Sequence, residues 1–202
     1  SSSATLNATN ISGFVASKVT TNAGTANLSA DNSAVTIDMR LATSGGYKIT
    51  GGTAAGAYDS LTIVDPVDEG VLVDGSSNIV FDDITVTDGR YGARMTSSAS
   101  GKMSMTNADF DSQSQSGLVL TGDAGLAFSG EINASGSSGI HVTSTSDTDW
   151  SFNGLTIKNS STALEHDGDG NVRLIDTTLE TNTDDIIIDD GSVTFVEGDI
   201  GT

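Results

Sequence analysis

A short apolar cassette returning about every 23 residues constrains this chain more than any other feature. It reads Gly70-Val71-Leu72-Val73, Gly92-Ala93-Arg94-Met95, Gly117-Leu118-Val119-Leu120 and Gly139-Ile140-His141-Val142. It continues as Thr162-Ala163-Leu164-Glu165 and Asp185-Ile186-Ile187-Ile188, with successive offsets of 22, 25, 22, 23 and 23 residues. A second cassette interleaves with it, as the pairs Ile79/Phe81, Met103/Met105, Leu126/Phe128, Trp150/Phe152, Val172/Leu174 and Val193/Phe195. Each pair is closed by one more apolar residue: Val86, Phe110, Ile132, Ile157, Leu179 and Ile200. The N-terminal Ala4, Leu6 and Ile11 fit the same spacing.

Apolar residues two apart, in runs bounded by Gly, Asn, Asp and Ser, read as short strands between turns. Several short strands in a fixed period of this length are the mark of a parallel β-solenoid. The expected fold is therefore all-β, a right-handed parallel β-helix of about eight to nine coils of 21–25 residues each. Stacked at about 4.8 Å per rung, it makes a rod on the order of 40 Å long. Like cassettes then lie over one another, and Phe81, Met105, Phe128, Phe152, Leu174 and Phe195 become one interior column. A single β-helix domain over 1–202 is expected, with irregular coils in 1–60 and regular ones in 61–202.

The period accounts for a composition that otherwise resembles disorder. Of 202 residues 24 are Gly and only one is Pro; there is no Cys, and the net charge is −19. Corners need residues that accept positive φ, and a stacked ladder has little room for Pro. The charge is uneven. Asp31, Asp38 and Asp59 balance Lys18, Arg40 and Lys48 in residues 1–60, so the whole excess lies in 61–202. Nucleic acid is not an expected partner, because clustered Lys and Arg are missing. No apolar run reaches membrane-helix length, and membrane insertion is not expected. The chain opens Ser1-Ser2-Ser3-Ala4 with no visible signal peptide. An acidic, Cys-free chain suits an extracellular setting.

Gly139-Ile140-His141-Val142, followed by Thr and Ser turn residues and then Trp150-Ser151-Phe152-Asn153, resembles the repeats of the pectate-lyase-like superfamily of right-handed β-helices. The resemblance covers roughly residues 60–202 well. It implies the fold; members include polysaccharide lyases, pectin hydrolases, phage tailspikes and microbial surface proteins. The chain resembles the surface-protein members rather than the catalytic ones.

Hydrolases of that superfamily use clustered Asp residues with a His and an Arg/Lys pair, and inverting cleavage needs two carboxylates flanking a water. Asp82-Asp83 and the nearby Asp88-Gly89-Arg90 offer acids without a Gly-His-Gly or Arg-x-Lys segment. Strand alternation is expected to send Asp82 and Asp83 to opposite faces. A lyase would need a base near a calcium-bound uronate, and a surface of charge −19 repels polyuronates. His141 and His166 lie 25 residues apart in equivalent strands, each expected to face outward into solvent, with Asp167 as an added ligand if they paired. Tyr47, Tyr58 and Tyr91 are the aromatics left for sugar stacking, and Thr-x-Thr pairs share no register suited to ice.

Calcium is the one cofactor the pattern suggests. His166-Asp167-Gly168-Asp169-Gly170-Asn171 resembles the opening of a calcium loop, though Val172 and Thr178 replace the Gly and Glu a full EF-hand requires. Stacking is expected to place Asp167 and Asp169 beside Asp189 and Asp190, with Asp147 and Asp149 one rung earlier. The candidate metal ligands are thus Asp167, Asp169, Asn171, Asp189, Asp190, Asp147 and Asp149; good turn residues in solvent are the alternative. No catalytic set is complete. The leading expectation is a non-catalytic structural or adhesive module of an extracellular microbial surface protein (surface layer, filament or adhesin). Its partners would be copies of itself or adjoining segments of a longer chain. The alternative is a β-helix that binds or degrades polysaccharide, with a glycan as partner.

Overall fold

Alternating apolar residues between turn formers can bury one side only by pairing with another such segment. In the computed structural model they pair in parallel throughout. The structure describes the strands 19–22, 35–38 and 47–50, and residues 54–66, 68–74, 76–122, 125–133, 135–144 and 148–201. Side chains are described within 62–66, 68–73, 81–99, 104–122, 125–133, 135–144 and 148–201. Ala4, Leu6 and Ile11 lie outside these residues.

Two sheets share the strands turn by turn. The first holds eight: Val19–Asn22, Tyr47–Thr50, Glu69–Asp74, Tyr91–Met95, Ser116–Leu120, Ser138–Val142, Thr162–His166 and Asp184–Ile188. The second runs from Val35–Asp38 and Ala54–Val64 through Ser76–Thr87, Ser100–Asp111, Gly125–Asn133 and Trp150–Lys158. It ends in two split rungs, Asn171–Ile175 with Thr177–Glu180, and Ser192–Phe195 with Gly198–Ile200. From Glu69 onward the first sheet counts six turns, fewer than the expected eight to nine. Division of the length by the repeat assigns full coils to residues 1–60, where only strand segments are described.

The second cassette stacks as expected. Phe81 lies beside Met105, Met105 beside Phe128, Phe128 beside Phe152, Phe152 beside Leu174 and Leu174 beside Phe195. The closing residues form their own column, Val86, Phe110, Ile132, Ile157, Leu179 and Ile200. The rings of Phe128 and Phe152 meet edge-on at 6.5 Å, and Phe110 tilts against Phe128 at 5.4 Å. Burying one such ring is worth roughly 1.5–3 kcal/mol.

Corners between straight segments are turned by residues of positive φ. One corner uses Asp83, Asn107, Gly154 and Asp176; the other uses Asp65, Asp88, Ser112, Asn159 and Thr181. Asn and Asp accept this left-handed conformation at low cost, whereas Ser112 and Thr181 adopt it against their preference. The bend also overturns one expectation. Asp82 and Asp83 are both exposed, because a left-handed residue at position 83 interrupts the alternation that would have separated them.

The glycine opening the first cassette is required by packing. A Cβ on Gly92 would lie 2.5 Å from Cδ2 of Phe110 and 2.6 Å from the Gly117 carbonyl oxygen. One on Gly70 would meet Val86 at the same 2.5 Å. The first sheet therefore rests directly on the closing column. Gly92→Ala is expected to cost about 1–3 kcal/mol in urea unfolding. Phe110→Leu in the same chain should recover only part of it, because the Gly117 carbonyl still crowds the new methyl.

Register corrects the alignment of the fifth cassette. Ile140 pairs with Leu164 and Val142 with His166, so Ala163, not Thr162, takes the glycine position. The offsets there are 24 and then 22 residues, since Leu164 pairs with Ile186. His166 consequently points inward, fully buried between Val142 and Ile188, contrary to the outward placement expected for it. Its Nδ1 accepts a hydrogen bond from the Gly168 N–H at 3.3 Å, and Nε2 has no hydrogen-bond partner. Burial lowers its pKa, against a smaller upward pull from the Gly170 backbone and the charges of Asp167 and Asp190.

A folded-state pKa below that of the unfolded chain means that the native state prefers neutral His166. Its contribution is present above the ordinary value of 6.5 and is lost as pH falls through that value and below. Melts in chelator between about pH 7 and 5.5 should show stability falling by up to about 1.4 kcal/mol per pH unit on this account. His166→Leu should flatten that slope; an unchanged slope refutes the assignment.

Candidate functional site

Stacking aligns outward residues as strictly as inward ones. On the first sheet His141 pairs with Glu165, and Asp167 lies two residues further along the same outward side. His141 Nε2 is 2.9 Å from Asp167 Oδ2. Ser138, itself fully buried, donates its hydroxyl to Oε2 of Glu165. One donor atom from each of His141, Glu165 and Asp167 falls within 4.8 Å of the others. It is the one such group of three or more His, Asp or Glu side chains among the described residues.

Only Asp167 of the expected ligand set belongs to it. Asp167 and Asp189 do occupy successive rungs, their N–H groups donating to the carbonyls of Val142 and His166. Asp149 also lies one rung before Asn171 and accepts the Asn171 N–H at 3.1 Å. One side-chain oxygen each of Asp149, Asn171 and Asp190 accepts a hydrogen bond within the corner. Asn171 Oδ1 accepts from Ser192 at 3.0 Å and Thr194 at 3.1 Å, and Asp190 caps the Gly191 N–H at 2.8 Å. Asp169 donates its N–H to the Ser144 carbonyl at 2.9 Å. Asp147 lies outside the described residues.

Glu165 is absent from the expected ligands because Thr162 in the glycine position sets it beside Val142, whereas the register pairs it with His141. The inward Leu164 and the small Ala163 at the glycine position are the signals that locate it. Arg90 and Arg94 flank Tyr91, and Arg90 lies 3.7 Å from Asp68. Arg90 and Arg94 stand 5.1 and 5.6 Å from the centre of the Tyr91 ring, while Tyr91 donates its hydroxyl to Gln115 at 2.6 Å. Arg94 pairs with the buried Glu69 at 3.1 Å. The side chains of Tyr47 and Tyr58 are outside the described residues.

The second sheet presents a different outer face. A shallow groove of about 240 Å³ runs across three rungs, lined by small side chains such as Ser104, Ala127 and Ser151. Beside the closing column an acidic patch gathers Asp109, Asp111 and Glu131, with Lys158 bound to Glu131 at 2.8 Å. Partial burial raises the pKa of Asp109, and the charges of Glu131 and Asp111 push the same way, against Lys158.

Comparison of the chain with protein-family models, curated proteins and solved structures finds no match. The parallel β-helix therefore rests on the strand pairing itself, and the pectate-lyase-like superfamily remains a resemblance of repeats. Asp109→Asn should raise stability slightly, by less than about 1 kcal/mol, because it removes charge repulsion at a largely exposed position. The gain should shrink as salt is added, which a pair of melts at low and high ionic strength would show.

Proposed function

We propose that this protein is a non-catalytic structural or adhesive module of an extracellular microbial surface protein, working as a rod that extends by stacking. The observation that carries this reading is the ladder itself: the inward columns from Phe81 and from Val86 repeat in one register, rung upon rung. Ile188, Val196 and Ile200 are 47%, 40% and 49% exposed. Apolar side chains on a parallel strand edge are a template for another rung, from a second copy or from adjoining coils of a longer chain. The acidic, cysteine-free composition supports an extracellular location.

Two opposed effects set the strength of such stacking. Apolar burial and ladder hydrogen bonds favour it, while a net charge of −19 on each copy opposes it. Association should therefore strengthen as salt rises from about 0.01 M, where the screening length is about 30 Å, to about 0.15 M, where it is about 8 Å. Sedimentation velocity on the chain and on an Ile188→Lys/Val196→Lys/Ile200→Lys variant tests the reading. Salt-dependent oligomers that the variant abolishes are the expected result. A chain that stays monomeric at high salt and high concentration, or a variant that associates equally well, would count against it.

A further inference from the structure

We propose that His141, Glu165 and Asp167 form a surface site for a divalent cation of the zinc class. The three donors come from two adjacent rungs of the first sheet and lie within 4.8 Å of one another. Zinc holds nitrogen and oxygen donors at about 2.0–2.2 Å in a tetrahedron, which separates donors by roughly 3.3–3.6 Å. An ion bound here would draw the trio to that spacing. His141 Nε2 and Asp167 Oδ2, now at 2.9 Å, would move apart to admit the ion. Water would take the fourth position, because the site opens to solvent: His141 and Asp167 have 27% and 34% of their side chains exposed.

Three further features favour an ion here. The backbone fixes the His141–Glu165 pair, since the two residues are register partners in neighbouring strands. The Ser138 hydroxyl, buried beneath, holds Glu165 by one carboxylate oxygen, the kind of outer contact that orients a ligating carboxylate. The −19 charge concentrates cations at the surface. The imidazole sets the class of metal. Calcium and magnesium take oxygen donors, whereas nitrogen with two carboxylates suits zinc, cobalt or nickel. This site shares only Asp167 with the expected calcium-binding corner and takes a different metal, and it does not depend on the stacking function.

The test is calorimetric titration of the chelator-stripped full chain with zinc chloride. One zinc per chain is expected, with calcium chloride in excess unable to displace it. His141→Ala and Glu165→Gln should each weaken binding about tenfold or more. His166→Leu, which alters the buried imidazole, should leave it unchanged. Cobalt should give a visible absorption band that disappears in His141→Ala. Melts in chelator establish that each variant folds, and His141→Gln replaces His141→Ala if the smaller side chain destabilises the strand. Absence of zinc binding, retention of wild-type affinity in both His141→Ala and Glu165→Gln, or displacement of zinc by calcium would overturn the proposal.

Discussion

The in-register parallel ladder is the constraint on which everything else in this molecule depends. Each backbone segment pairs with the equivalent segment of the rungs on either side, so a residue's neighbours are its own counterparts one period away. Any side chain must suit its counterparts or the column fails. The aromatic and aliphatic column from Phe81 to Phe195 satisfies this with residues of changing size. The opening glycines satisfy it at the other extreme. Gly70 and Gly92 leave no room for a methyl because the closing column lies directly against the first sheet.

Polar residues obey the same rule with different chemistry. Like charges in successive rungs repel, and the chain interleaves them with amides and hydroxyls. Asn133 donates to Asp111 at 2.9 Å, Asn159 donates to Asn133 at 2.8 Å and Thr181 donates to Asn159 at 2.7 Å. Inside the corner, Gln113 donates to the carbonyls of Val86 and Asp111, and Asn182 to that of Ile157. Backbone groups released by the turn are thus paired where a solvent-facing turn would rely on water. An acidic chain can therefore stack without like charges being adjacent on every rung. Among the described residues, like charges remain adjacent at Asp59 with Asp82, Asp109 with Glu131, and Asp167 with Asp189. Lys158 answers Glu131, and His141 reaches to Asp167.

The same stacking builds the His141–Glu165–Asp167 group. No local motif in the chain specifies it, because its members are 24 and 2 residues apart and meet only through rung pairing. One residue of slip decides its identity. With Thr162 in the glycine position, His166 would face outward and Glu165 would stand beside Val142. With Ala163 there, Glu165 faces His141 and His166 is taken into the core. Packing favours the second arrangement, since Leu164 then joins Ile140 and Ile186 inside. The cost is a buried imidazole with an unpaired nitrogen. That slip at one corner couples the interior to the outer face.

By itself the sequence determined the period, the parallel β-helical class, and the inward columns running from Phe81 and from Val86, because period-2 burial and its recurrence are local properties of the chain. It assigned turns to Gly, Asn, Asp and Ser as classes of residue, but not the particular corners at Asp83, Asn107, Asn159 and Asp176. It gave no sign that Ser112 and Thr181 would take the same conformation, since neither residue favours it. Only the tertiary structure decided the register of the Thr162–His166 strand, the common exposure of Asp82 and Asp83, and the company kept by His141. The physical reason is common to all three. Alternation assigns a face only within one straight segment, every left-handed corner resets the phase, and the packing of the next rung chooses which phase survives.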